Sequence, residues 1–162
     1  LTHFGLVVIG AHIGIHIKNE IENFKNEKVL LIEPVPHNVN AIKKNLSEYK
    51  NFIIEQITLG IKKETRDFYF IKEGSISKLK KHWASGIGSF KKDHILSHKS
   101  KRFKVEEIDI QKISIQCLRF KDLVDKHSID SIYKLLIDVE GSEYEILKDI
   151  DLRKVNIKKN NF

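Results

Sequence analysis

The sequence predicts an α/β fold in which a mostly parallel central sheet is flanked by helices. Two observations carry this prediction. Short apolar runs at residues 6–9, 28–33 and 132–137 have the composition of strands buried on both faces, as parallel sheets require. Between the first two, apolar residues recur at helical spacing, and the order strand–helix–strand–helix–strand demands parallel pairing with right-handed crossovers.

The first run, Leu6-Val7-Val8-Ile9, leads into Gly10-Ala11-His12-Ile13-Gly14, a turn bracketed by two glycines. Ile13, Ile17, Ile21 and Phe24 then follow at helical spacing, so residues 15–26 are expected to be a helix entered directly from the turn. Residues 28–33 form the second strand and end on Glu33. Pro34 and Pro36 start a helix with the apolar face Val39, Ile42, Leu46 and Tyr49, proline suiting the first turn. Residues 52–58 read as a third strand and residues 67–71 as an added edge strand or hairpin. Residues 72–101, with Gly74, Gly86, Gly88 and many serines, read as an irregular insertion serving as a lid or acceptor-binding element. Strands are expected at 105–110 and 113–117, and a helix on Phe120, Leu123, Val124 and His127. After the strand at 132–137, Ser142 and Glu145 form a capping box opening a helix that carries Tyr144, Leu147 and Ile150. Residues 154–158 are a candidate last strand.

At 162 residues the chain has room for one domain with a real core, and no linker divides it. No apolar run reaches the length of a membrane span, and the apolar start lacks the basic leader of a secretory signal. Cys117 is the only cysteine, so no intrachain disulfide forms and the reducing cytoplasm is the expected compartment. The chain begins at Leu1 and contains no methionine, so both ends are expected to continue in the natural product. Net charge is +7, concentrated between Lys62 and Lys104, where thirteen Lys and Arg stand against four acids. Such a stretch suits an anionic partner, but it lacks interleaved stacking aromatics and any nucleic-acid motif, so a solvated lysine-rich face is the favoured reading and nucleic acid is not an expected partner. His94 and His98, and His12 and His16, share a spacing of four without a carboxylate or cysteine at diagnostic distance, and no metal site is expected. His12 is instead a loop residue near the ligand.

Glycines in a strand-to-helix turn let a backbone approach a ligand closely, yet G-A-x-x-G also occurs in purely structural turns. Glu33 lies nineteen residues beyond Gly14, at the carboxyl end of the neighbouring strand, where a carboxylate can accept hydrogen bonds from ribose hydroxyls. A surface acid before a proline is the equally weighted alternative. Asp138 and Glu140 follow the strand at 132–137 and precede Gly141. An ordinary helix start does not need two acids before a glycine, which favours a site.

The run Leu135-Leu136-Ile137-Asp138-Val139-Glu140-Gly141-Ser142-Glu143 resembles the I-D-V-E-G-x-E hallmark of the FkbM family of S-adenosylmethionine (SAM)-dependent methyltransferases. Other stations resemble the family in order: Gly10-Ala11-His12-Ile13-Gly14 its G-A-N-x-G turn, and Glu33-Pro34-Val35-Pro36-His37-Asn38 its E-P-x-P-x-N. Asn45-Leu46 falls at the end of its second helix, Thr58-Leu59-Gly60 on its A-L-(S/G) segment, and Ser89 on a serine of its variable middle. Two positions depart: Val8 stands where the family has an acid, and Leu136 where it has a lysine. The chain also stops at about the fifth core strand, so the family's later strands are expected beyond it.

The resemblance implies a Rossmann-like SAM-methyltransferase fold over residues 1–162 and O-methylation of a sugar or other hydroxylated small-molecule or glycan acceptor. It implies that Gly10, Ala11, His12 and Gly14 wrap the methionine end of SAM, that Glu33 binds the ribose, and that Gln56 and Thr58 lie beside adenine. Asp138 and Glu140 would face the reacting centre, either one orienting or deprotonating the acceptor hydroxyl. Glu143 has an alternative role against the helix dipole. Two rivals remain: a nicotinamide enzyme, disfavoured because the third glycine of G-x-G-x-x-G is missing, and a non-catalytic module using the basic insertion for nucleic acid or another anionic partner.

Overall fold

The computed structural model describes residues 1–79, 82–100, 103–139 and 143–161. In chain order the elements are β1 (Thr2–Ile9), α1 (Lys18–Asn23), β2 (Val29–Ile32), α2 (Pro36–Asn45), β3 (Phe52–Glu55), β4 (Thr58–Leu59), β5 (Glu64–Ile71) and α3 (Glu73–Leu79). They continue as β6 (Gly88–Ser89), α4 (Lys92–Leu96), β7 (Lys99–Ser100), β8 (Phe103–Lys104), β9 (Ile110–Leu118), α5 (Phe120–His127), β10 (Ile129–Ile137), α6 (Glu143–Lys148) and β11 (Asn156–Asn161). None of the described helices is long and apolar enough to cross a membrane. The chain divides into two compact units, residues 1–64 with 116–162, and residues 65–115.

The first unit is built on a five-stranded sheet of order β11-β10-β1-β2-β3, every neighbouring pair parallel. β1 is central and buried on both faces because its side chains divide between two cores. Phe4, Val7 and Ile9 join Leu30, Ile32, Leu123, Leu135 and Ile146 on one side. Leu6 and Val8 join Ile17, Ile21, Leu31, Ile42 and Leu46 on the other. The apolar stripes of α1 and α2 cover the second face, as their spacing requires. Pro36 occupies the first turn of α2 and Lys43 and Lys44 its last, matching the helix dipole. From β1 the chain winds outward through β2 to β3, then returns to the opposite side of β1 as β10. The order therefore reverses between β1 and β10, and in open parallel sheets ligands bind in the crevice at the carboxyl ends of such a pair.

The second unit has its own small core of Ile71, Leu79, Ala84, Ile87, Ile95, Val105 and Ile110, with β5 and β6 antiparallel. The segment 72–101, expected to be irregular, lies in this unit and contains α3, a 3-10 turn at His82–Gly86, and α4. Buried Leu79 and Ile95 explain why these short helices form.

Other expectations need correction. The helix expected from residue 15 starts at Lys18 and has six residues, because the turn runs on through residues 10–17. The strand expected at 52–58 is two pieces: β3 stops at Glu55, and Thr58 and Leu59 pair with Cys117 and Leu118 of β9. At the end of β3 the Glu55 carboxylate lies 2.7 Å from both His127 Nε2 and Lys126 Nζ. The strand expected at 105–110 is a 3-10 turn at Glu107–Asp109, leaving one strand, β9, where two were expected. Asp109 is buried and accepts from Glu106 N and Lys78 Nζ, and these bonds favour a turn over an extended ladder. In α6 the buried residue is Ile146, while Tyr144, expected on the apolar face, is exposed. Ser142 of the expected capping box lies outside the described residues.

Candidate active site

Three strand ends meet at the carboxyl edge of the sheet. Gly10 N and Ala11 N each donate to Ile32 O at 3.0 Å, tying the end of β1 to β2, and Asp138 N donates to Ile9 O at 2.9 Å, tying β10 to β1. Gly10 has φ +88, and a Cβ there would stand 1.9 Å from Asp138 O, so only glycine lets these two strands turn away side by side. His12 (φ 52) and Gly14 (φ 82) are also left-handed, and a Cβ on Gly14 would press on Leu46 of α2's end. Asn45 Nδ2 donates to Ile13 O at 2.8 Å, and Gly14 N to Ala11 O at 3.0 Å. Ala11 is fully buried against the core under α1 and α2.

Glu33 is the polar centre of this edge. Its Oε2 accepts from His12 N at 2.9 Å, and its Oε1 from Val35 N at 3.0 Å and Asn38 Nδ2 at 3.1 Å. The carboxylate thus staples the glycine turn to the start of α2. It is 4% exposed, and burial pushes its carboxyl up to about 7, against the three hydrogen bonds, which pull the other way. A carboxylate has about four acceptor sites, so three bonds leave capacity for one more hydroxyl hydrogen. Asn38 and Asn45 stand in the sequence as family stations, without a stated role; the fold gives them one, Asn38 holding Glu33 and Asn45 holding the glycine turn.

The expected residues divide into two groups. Gly10, Ala11, His12, Gly14, Glu33 and Asp138 come together around the ends of β1, β2 and β10. Asp138 is exposed there, with only its backbone committed to the sheet. Gln56 is exposed between β3 and β4, and Thr58 is buried, its hydroxyl donating to Gln116 O at 3.5 Å. Glu33 N donates to Glu55 O at 3.1 Å, which brings the end of β3, and so Gln56, next to β2. Glu140 lies outside the described residues. Val8, where an acid was expected, is buried in the core beneath α1. Among the described residues no group of three or more His, Cys, Asp and Glu is arranged to hold a metal.

Two carboxyl groups face this edge: Glu33, which when ionised has one acceptor site to spare, and Asp138, open to solvent. That chemistry fits a ligand presenting hydroxyls and positive charge, as SAM does with its ribose, ammonium and sulfonium groups.

The family model for the methyltransferase FkbM domain matches residues 9–159. Among solved structures the chain is similar to a crystal structure of methyltransferase FkbM from Methylobacillus flagellatus KT, with a TM-score of 0.51 and 17% identity. That likeness covers 91% of this chain and 28% of the other, and it supports the α/β fold with a mostly parallel central sheet. A comparison with curated proteins gives no match. With the family model covering nearly its whole length, from the end of β1 into β11, the chain belongs to the FkbM methyltransferase domain family.

Proposed function

We propose that this chain binds SAM at the carboxyl edge of β2, β1 and β10 and serves in O-methylation of a sugar or other hydroxylated small-molecule or glycan acceptor. The observation that carries this reading is the meeting of the Gly10 turn, Glu33 and Asp138 at the point where strand order reverses. SAM, when bound, supplies an electrophilic methyl group. The left-handed backbone at Gly10, His12 and Gly14, with Ala11, would hold the methionine end. Glu33 would use its remaining acceptor site for a ribose hydroxyl, and Gln56 with Thr58 would border the adenine.

Asp138 is assigned to the acceptor. An exposed carboxylate beside the Gly10 turn can accept the hydrogen of an acceptor hydroxyl, orient its lone pair and take the proton as the oxygen becomes a nucleophile. Glu140, two residues further on, is the alternative for that proton. Cys117, the one cysteine of the sequence, agrees with a reducing compartment.

The test is ligand choice followed by turnover. SAM should raise the melting temperature while NAD leaves it unchanged, and release of S-adenosylhomocysteine should depend on an added hydroxylated acceptor. Stabilisation by NAD alone would contradict the proposal.

A further inference from the structure

At the opposite, amino end of the sheet, His3 lies between a hydroxyl and a carboxylate. His3 Nδ1 is 2.8 Å from Ser131 Oγ, and His3 Nε2 is 3.0 Å from Glu27 Oε2. A carboxylate only accepts, so Nε2 carries the hydrogen donated to Glu27, and in the neutral ring Nδ1 is left to accept the Ser131 hydroxyl hydrogen. Ser131, His3 and Glu27 thus stand as nucleophile, base and orienting acid, contributed by β10, β1 and the loop before β2. These are the contacts by which a serine hydroxyl is activated.

The local fold explains the meeting. β1 and β10 pair as Thr2↔Ile129 and then His3↔Ser131, so one residue of β10 is skipped and the register shifts at His3. Irregularities of this kind re-aim side chains and concentrate next to active sites. On the far side of β10, Ser131 is in register with Asn156 of β11. Three adjacent strands therefore line up His3, Ser131 and Asn156 in one row, with an amide donor on the side of the serine away from the base. Gly5 leaves room for Glu27, because a Cβ there would be 2.7 Å from the Glu27 carboxylate. Glu27 also borders a cavity of about 480 Å³ whose walls include Glu20, Phe24, Tyr133, Lys134 and Lys159. The cavity has aromatic walls and mixed charge: the Phe24 and Tyr133 rings are 5.6 Å apart, Lys134 Nζ is paired with Glu20 at 2.6 Å, and Lys159 Nζ is 5.3 Å from the Tyr133 ring.

We propose that Ser131, His3 and Glu27, with Asn156 in register beside the serine, form a second reactive site that takes an acyl group from a small ester. Ser131 Oγ bonds to the carbonyl carbon as its proton passes to His3 Nδ1 and the carbonyl π electrons move onto the oxygen, to which Asn156, in register with Ser131 on β11, would donate. The bond to the leaving alcohol then breaks and the alcohol departs with the proton from His3. Water, giving a proton to His3, releases the acyl group as a carboxylic acid, and the proton returns to Ser131. Glu27 acts through His3 as a positioning residue. The site is independent of SAM binding.

The experiment treats the chain with a fluorophosphonate probe and, separately, with p-nitrophenyl acetate, and maps the adducts by peptide mass spectrometry. Labelling of Ser131 is expected, together with ester hydrolysis that falls on the order of a hundredfold or more in Ser131→Ala and in His3→Ala. Added imidazole should restore labelling to His3→Ala, which a purely structural histidine would not permit. Melting temperatures of the variants establish that they fold, and labelling of the unaltered chain stands whether or not they do. An unlabelled Ser131, adducts confined to lysine or histidine, or hydrolysis unchanged in folded Ser131→Ala would overturn the proposal.

Discussion

The two ends of the parallel sheet treat their polar groups in opposite ways. At the carboxyl end, Glu33 is nearly inaccessible and bound by three donors, two of them backbone N–H groups of the segments it joins. At the amino end, His3 and Glu27 pair with side chains 47% and 40% exposed. A buried carboxylate must be satisfied by the fold itself, so the carboxyl edge is preorganised and intolerant of altered geometry. An exposed pair contributes little to stability and leaves its atoms available for chemistry. Substitutions at the buried positions of the carboxyl edge, Gly10 and Glu33, should therefore disturb folding and ligand binding together, whereas those at the amino end should change reactivity without changing stability.

The largest effect is expected at Gly10. A methyl group 1.9 Å from Asp138 O, at a residue with φ +88, forces the β1 and β10 ends apart. Gly10→Ala should cost above about 4 kcal/mol, in the exceptional class of single substitutions, as measured by urea unfolding. A cost below about 1 kcal/mol would mean that these ends are not locked together. Asp138→Asn comes next: its backbone bond to Ile9 O remains, so the fold should persist while release of S-adenosylhomocysteine falls by roughly a hundredfold or more. Full turnover in Asp138→Asn would remove it from the site and direct attention to Glu140.

Glu33 sharpens the comparison through pH. Its carboxyl titrates near 7 when folded and at 4.5 when unfolded, so between those values the folded chain holds a proton that the unfolded chain has released. Stability should fall as pH rises from about 4.5 to about 7, by up to roughly 3 kcal/mol, and level off above that. Glu33→Gln should flatten this slope, at the cost of at least one of the three hydrogen bonds, since one side of the amide cannot accept. A wild-type unfolding midpoint that rises over the same window would contradict the burial argument. The smallest effect belongs to the amino end, where Glu27→Gln should leave the unfolding midpoint essentially unchanged.

Much of the fold was legible because the elements of the first unit carry unambiguous patterns. The apolar runs of β1, β2 and β10, and the Ile17–Ile21–Phe24 and Val39–Ile42–Leu46 stripes, admit one reading each. Legibility ended where a polar side chain overrode the pattern. Glu55, at the end of β3, meets His127 and Lys126, and Asp109 holds a stretch read as a strand in a 3-10 turn, both through partners distant in sequence. In the site, Gly10, Glu33 and Asp138 stood out by type and spacing. That Glu33 spends three of its acceptor sites within the protein was invisible, because Asn38 and the N–H groups of His12 and Val35 meet it only in the folded turn. The His3–Ser131–Glu27 row depends on a register shift between two strands and leaves no local trace in the sequence.

The most direct measurement is a calorimetric titration of the chain with SAM and with S-adenosylhomocysteine. One-to-one binding of both is expected, with a dissociation constant on the order of micromolar, weakened by about 1.5–3 kcal/mol in Glu33→Ala. A folded chain that takes up neither ligand, or a Glu33→Ala variant with an unchanged isotherm, would contradict a methyl-donor site at the carboxyl edge.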